Sequence, residues 1–270
     1  MSSRLIVLRG GGDLATGVAA RLFHCGFDVV VTEIAQPLAV RRLVALSEAV
    51  YRNEVVIEDL RGRLVESAGQ ALQTIKEGVI PVLVDPSAES CNTLQPLAVV
   101  DCRMLKRAPE SGVDPAPFVV GLGPGFTAGM DCHVVIETNR GHYLGRVIRE
   151  GTTEKDTGVP GKVGGQAARR VLRAPVDGIL QERAELGTIV KEGDIIAEVD
   201  GQAVRAPFDG ALRGLLPGGT HVTQGLKIGD VDPRGDVKIC SLISEKSLAI
   251  AGGVLEALLS QPGIRTALGQ

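Results

Sequence analysis

The chain has 270 residues, 44% hydrophobic and 23% charged, with only 3% aromatics and no tryptophan. That composition suits a globular protein long enough for two domains, with an aliphatic core. A formal net charge of −3 argues against broad nucleic-acid affinity, because no basic excess exists to displace counterions. No apolar run approaches the ~20 residues that span a bilayer. The sequence opens directly on a strand pattern without the regions of a signal peptide, so a cytoplasmic location is expected. Cys25, Cys91, Cys102, Cys132 and Cys240 are scattered, odd in number and form no CxxC. They read as reduced thiols, and no metal site is expected.

Arg4–Arg9 (RLIVLR) is a short apolar strand that runs into Gly10-Gly11-Gly12-Asp13-Leu14-Ala15. Leu14 to Cys25 has helical spacing, and Phe27–Thr32 (FDVVVT) is a second buried strand ending at Glu33. Strand, turn, helix and strand make one βαβ unit. Gly10, Gly12 and Ala15 fit G-x-G-x-x-G/A, with Glu33 where a ribose-binding carboxylate would stand. Glycines let a phosphate approach the backbone, and a helix N-terminus offers N–H groups with a positive dipole end. Asp13 caps such a helix but would repel a pyrophosphate it faced. A capped turn with no ligand is therefore the competing reading.

Pro37 is placed to open a further helix. Strands are expected at Glu54–Glu58, Val79–Val84, Leu97–Asp101 and Phe118–Gly121, with a helix near Ala68–Lys76. After the Leu97–Asp101 strand come Asp101, Arg103 and Lys106, an acid and two bases that suit an anionic ligand. A second glycine run follows the next strand, with Gly121, Gly123, Gly125 and Gly129, then Cys132 and His133. Alternating glycines at a strand's carboxyl end can form an anion-binding nest, so both runs could line one crevice. The alternative is a structurally demanding loop. Asp101, Cys132 and His133 are the candidates for any catalytic role. Cys102 and Cys132 would need an accessible, low-pKa thiol to be nucleophilic. His133–Thr138 and Tyr143–Ile148 look like late strands that could run antiparallel, and residues 151–166 like a hinge or flexible loop.

Residues 173–232 contain one unit twice, at an offset of 32 positions, with thirteen of 28 aligned positions identical. Arg173 aligns with Arg205, Gly178 with Gly210 and Asp200 with Asp232. Two strand-rich units of this size should pair as quasi-symmetric halves. Their turns and length resemble the biotinyl/lipoyl-type barrel-sandwich module. The junction from Glu198 to Val204 (EVDGQAV) has no lysine, so no biotin or lipoyl arm is expected. Lys238–Ser244 is strand-like, and Ser247–Ser260 suits a packing helix with Gly252-Gly253 as its weak point. The expected architecture is a Rossmann-like α/β domain over 1–165, a barrel-sandwich hybrid over 166–235, and a strand with a terminal helix over 236–270.

Several stretches together resemble one family. They are VLRGGGDLATGVAARL (Val7–Leu22), VVTEIAQPLAVRR (Val30–Arg42), IPVLVDP (Ile80–Pro86) and GLGPGFTAGMDCHVVIETNRGHYLGRVI (Gly121–Ile148). IGDVDPRG (Ile228–Gly235) and LAIAGGVLEALL (Leu248–Leu259) continue the series. The chain is similar to the selenium-dependent molybdenum hydroxylase maturation (YqeB-type) proteins. The resemblance implies an accessory role for a xanthine or purine dehydrogenase-like molybdenum hydroxylase and its cofactor-assembly proteins. A nucleotide or molybdenum cofactor would then be the ligand of the glycine runs. An NAD(P)-dependent oxidoreductase and a non-catalytic interaction scaffold stand as alternatives, and the oligomeric state is open.

Overall fold

The computed structural model describes residues 4–105, 107–109, 116–155 and 168–269. Lys106 and most of the expected hinge lie outside them. The chain divides into two compact units that are not contiguous in sequence. The first comprises Met1–Pro37, Ala45–Asp156 and Ile243–Gln270, and the second Leu38–Val44 and Thr157–Leu242.

The first unit is built on β1 (Leu5–Arg9), α1 (Asp13–His24) and β2 (Asp28–Glu33). Next come α2 (Ala49–Arg52), β3 (Glu54–Ile57), β4 (Leu60–Val65), α3 (Ala68–Lys76), β5 (Ile80–Val84), α4 (Cys91–Leu94) and β6 (Ala98–Asp101). The series ends with β7 (Val119–Leu122), β8 (Thr127–Ala128), β9 (Val134–Ile136), β10 (Val147–Ile148) and β11 (Gly151–Thr152). Nine strands form one sheet in the order β10-β9-β7-β6-β1-β2-β5-β4-β3. The seven from β9 to β4 are parallel, and β10 and β3 are antiparallel at the edges. The central strands read as near-continuous runs of Val, Ile and Leu because both faces are covered. Strands β8 and β11 pair separately.

The second unit contains β12 (Val171–Arg173), β13 (Gly178–Glu182), β14 (Ile189–Val190) and β15 (Ile195–Val199) from the first copy of the repeat. The second copy supplies β16 (Gln202–Arg205), β17 (Gly210–Leu215), β18 (His221–Val222) and β19 (Lys227–Asp232). They form two four-stranded antiparallel sheets, β12-β19-β17-β14 and β16-β15-β13-β18. Each sheet draws two strands from each copy, so neither copy completes a sheet alone. Val199 pairs with Gln202 across a two-residue turn of Asp200 (φ 44°) and Gly201 (φ 78°), the backbone that suits a tight hairpin. Buried charge holds the second half together: Arg170 and Arg213 both bind Asp230, and Arg213 and Arg234 bind Asp232.

This corrects the architecture expected from the sequence. The Rossmann-like half is instead a large mixed sheet with an antiparallel strand at each edge. Among the described residues no helix connects β7 to β9, as a doubly wound domain would require. In place of the biotinyl/lipoyl-like barrel-sandwich hybrid stand two separate small antiparallel sheets. The βαβ cue covers only the first 33 residues, and the repeat reports pairing without reporting how the sheets close. Locally, no long helix follows Pro37: residues 42–44 and 46–48 form 3-10 turns before α2. Residues 237–240 form a 3-10 turn where a strand is expected.

The terminal helices are α5 (Glu245–Leu259) and α6 (Pro262–Leu268). Ser244 caps α5, its hydroxyl accepting from the Ser247 N–H. Helices α1 and α5 cross so closely that a Cβ on Gly17 would stand 2.6 Å from the Ser247 Cβ. Gly253, the suspected weak point, is required because Gly145 packs directly against it.

Candidate functional site

The carboxyl ends of the parallel strands bring the first glycine run, Glu33, Asp101, Arg103 and the second glycine run to one edge of the sheet. The chain leaves β1 for β2 on one side, while β6 pairs with β1 on the other. In open α/β sheets such a divergence leaves a crevice at the carboxyl edge.

The first turn is braced by its own chain. The Gly10 N–H (φ 95°) donates to the Thr32 carbonyl at 2.8 Å, and the Gly11 N–H donates to Glu33 Oε2 at 2.8 Å. The other Glu33 oxygen accepts from the Ile34 N–H at 2.8 Å. Glu33 therefore staples the turn to β2. Ser47 N–H donates to the Gly11 carbonyl at 2.9 Å, and a Cβ on Gly11 would come within 2.8 Å of that nitrogen. Gly12 is the N-cap of α1 without a side-chain cap, and a Cβ added there meets nothing within 4 Å. Asp13 opens α1 half-buried, and Ala15 is buried beneath the turn.

The second run is filled by protein. A Cβ on Gly121 would meet the Phe126 ring at 2.6 Å. One on Gly123 (φ 73°) would meet Thr138 Oγ1 at 2.6 Å, and one on Gly125 (φ 102°) the Leu105 carbonyl at 2.5 Å. These glycines seat the loop against Met104, Leu105, Arg107 and Thr138. Only Gly129 (φ 85°) faces open space. Glu137, buried at the end of β9, accepts from the Thr138, Asn139 and Glu154 N–H groups, each at 2.7 Å.

Asp101 is buried and accepts from the Arg103 backbone N–H, from Nε at 2.9 Å and from Nη2 at 2.6 Å. Arg103 then lies over the first turn, its Cγ 3.4 Å from the position of a Gly10 Cβ. The cation of the edge is thus clamped by an acid and still partly exposed.

Cys132 and His133 precede β9 and stand at its amino end. His133 Nδ1 accepts from the Val119 N–H at 3.0 Å, with its ring against Phe118. That places His133 away from the crevice. Cys132 is fully buried, and burial pushes its thiol up to about 11, against weaker lowering by backbone hydrogen bonds. Burial also pushes Cys102 well above the ordinary thiol range. Both are neutral inside the protein at physiological pH, the opposite of an accessible thiolate. Among the described residues no group of three His, Cys, Asp or Glu could hold a metal ion. None of their helices is long and apolar enough to cross a membrane.

Over 256 residues, 95% of its length, the chain is 48% identical to the uncharacterized protein YqeB of Escherichia coli (strain K12). It resembles YqeB. The chain spans about half of that relative, 47% of its length. Because the relative is uncharacterized, the similarity carries no activity. No protein-family model matches the chain. Similarity to solved structures is slight. An aspartoacylase family protein from Mesorhizobium loti aligns at 12% identity over 84% of each chain, with a TM-score of 0.28. The product-bound ectoine utilization protein EutE (DoeB) from Ruegeria pomeroyi aligns at 13% identity over 84% of this chain and 85% of that one, with a TM-score of 0.26. Overlaps this weak bear on neither fold nor activity.

Three residues that the sequence did not single out matter at this edge. Arg9 ends β1, Thr32 stands one residue before the end of β2, and Ser47 covers the first turn. Arg9 carried a readable signal, a cation closing an apolar strand beside a glycine turn. Ser47 had none, since only the tertiary path of residues 45–48 brings it there.

Proposed function

We propose that this protein is a cytoplasmic accessory factor in the maturation of a selenium-dependent molybdenum hydroxylase of the xanthine or purine dehydrogenase kind. It binds an anionic nucleotide or molybdopterin-type cofactor at the carboxyl edge of its large sheet, in the service of that enzyme and its cofactor-assembly proteins. The maturation role rests on the sequence resemblance to YqeB-type proteins. The binding role rests on one observation: space is open at Gly12, the N-cap of α1, in the turn whose Gly10 packs against the partly exposed Arg103. A cation and a helix N-terminus both favour a phosphate there.

The test is calorimetry with nucleotides and with molybdenum cofactor, joined to mass spectrometry of small molecules released from the purified protein. A Cβ at Gly12 meets no neighbour within 4 Å, so Gly12→Val should preserve the fold while its methyls fill the open space and abolish binding. Absence of any bound ligand across that panel would overturn the binding role.

A further inference from the structure

The rung that closes β1 and β6 runs Leu83, Thr32, Arg9, Asp101, Gly121 across five strands in register. Register partners in parallel strands point to one face, here the face of α3 and α4 where Val7, Val30 and Val99 lie in the apolar core. Three of the five are polar, at a depth where polar atoms are normally all paired. Among the described residues two of these three are not. Thr32 is 1% exposed, yet its hydroxyl finds no partner among them. Arg9 Nε is buried and likewise finds none there, nor does the hydroxyl of Ser90, on the segment that follows β5.

The charges are unbalanced as well. Asp101 is taken up by Arg103, whereas Arg9 Nη1 stands 4.0 Å from it, an ion pair without a hydrogen bond. The Arg9 Nη2 atom donates to the Pro86 carbonyl at 3.0 Å. Burial and then the Arg103 charge lower the Arg9 pKa, against weaker support from Asp101 and, last, Asp85. The Asp85 carboxylate is occupied in capping the Glu89 and Ser90 N–H groups. Two guanidinium groups thus share one fully engaged carboxylate, beside donors that lack acceptors.

We infer that Arg9, Arg103, Thr32 and Ser90 form a subsite for a tetrahedral oxyanion: a phosphate, either free or at the end of a larger ligand. An oxyanion supplies the acceptors that Arg9 Nε and the two hydroxyls lack, and neutralises the second guanidinium. This rests on the reading of the carboxyl edge as a ligand site. It moves the selective contact from the glycine backbone, where Gly11 is already bonded to Glu33, to Arg9.

The experiment measures stabilisation of the full chain by inorganic phosphate in thermal melts, then affinity by calorimetry. Phosphate should raise the melting temperature of the wild type, and Arg9→Met should weaken phosphate binding about tenfold or more. Thr32→Val is isosteric and removes an unpaired hydroxyl, so the free protein should hold or gain stability while the phosphate shift shrinks. That variant keeps the test decisive if Arg9→Met fails to fold. No phosphate shift in the wild type overturns the subsite, and an equal shift in wild type and Thr32→Val means an adventitious ion only. In parallel arms with nucleotide and molybdenum cofactor, tight binding that Gly12→Val abolishes but Arg9→Met and Thr32→Val leave intact would overturn the subsite and keep the proposed function. An Arg9-dependent phosphate shift with no nucleotide or cofactor binding would instead assign the subsite to free phosphate and defeat the proposed binding role.

Discussion

The two glycine runs of the first unit look alike in sequence and differ in what stands opposite them. Opposite Gly121, Gly123 and Gly125 are a phenylalanine ring, a threonine hydroxyl and backbone carbonyls. Opposite Gly12 there is open space. The same residue type thus serves two ends: one run lets the chain approach itself, and the other leaves room before a helix N-terminus. Glycine content does not distinguish a ligand cradle from a packing device. The neighbours do.

The largest effect should come from Gly125→Val. Its positive φ disfavours any side chain by about 1–2 kcal/mol, and the clash with two carbonyls adds about 1–3 kcal/mol. A fall in the urea midpoint equivalent to about 3 kcal/mol or more is expected. Alkylation at pH 8 should report it too. Among the cysteines only Cys25 is exposed in the wild type, and the variant should bring Cys132 into reach. Labelling of the wild-type Cys132 should stay slow and rise only as pH approaches its elevated value of about 11.

Gly11→Ala should destabilise by about 1–3 kcal/mol, because the Ser47 backbone must give way. A neutral result would show that the first turn is less tightly braced than its hydrogen bonds indicate. Gly129→Ala meets no neighbour and should cost only the left-handed backbone, about 1–2 kcal/mol.

The smallest change belongs to Gly12→Ser, and among these glycine variants it alone has the opposite sign. A serine N-cap should stabilise α1 by a few tenths of a kcal/mol, since glycine is itself a fair cap. The same side chain would occupy the space assigned to the ligand. Higher stability with weaker binding would mark Gly12 as a residue retained for function. Higher stability with unchanged binding would reduce the first turn to a second packing device.

Much of this chain was legible before folding. The β1–α1–β2 unit, α3, β5, β6, the start of β7 and most of α5 follow from runs of buried aliphatics and helical spacing. The internal repeat announced two interdependent halves, and the sheets do draw strands from both copies. Of the candidate site, Gly10, Gly11, Gly12, Glu33, Asp101, Arg103 and Gly123 come to one edge. His133 does not, and Cys132 is buried beside the packed loop. Strand β3 matches the expected Glu54–Glu58, but its partner β4 (LRGRLV) passed unnoticed because it carries charge on its exposed face and a glycine under Leu46.

Sequence alone determined which segments become strands and helices, because periodicity and turn residues act over a few positions. Tertiary structure decided sheet order, the antiparallel edges and the split of the repeat into two sheets, since these depend on pairings between distant segments. It also decided what each glycine faces. Whether a glycine admits a phosphate or a phenylalanine is settled by atoms that arrive from elsewhere in the chain.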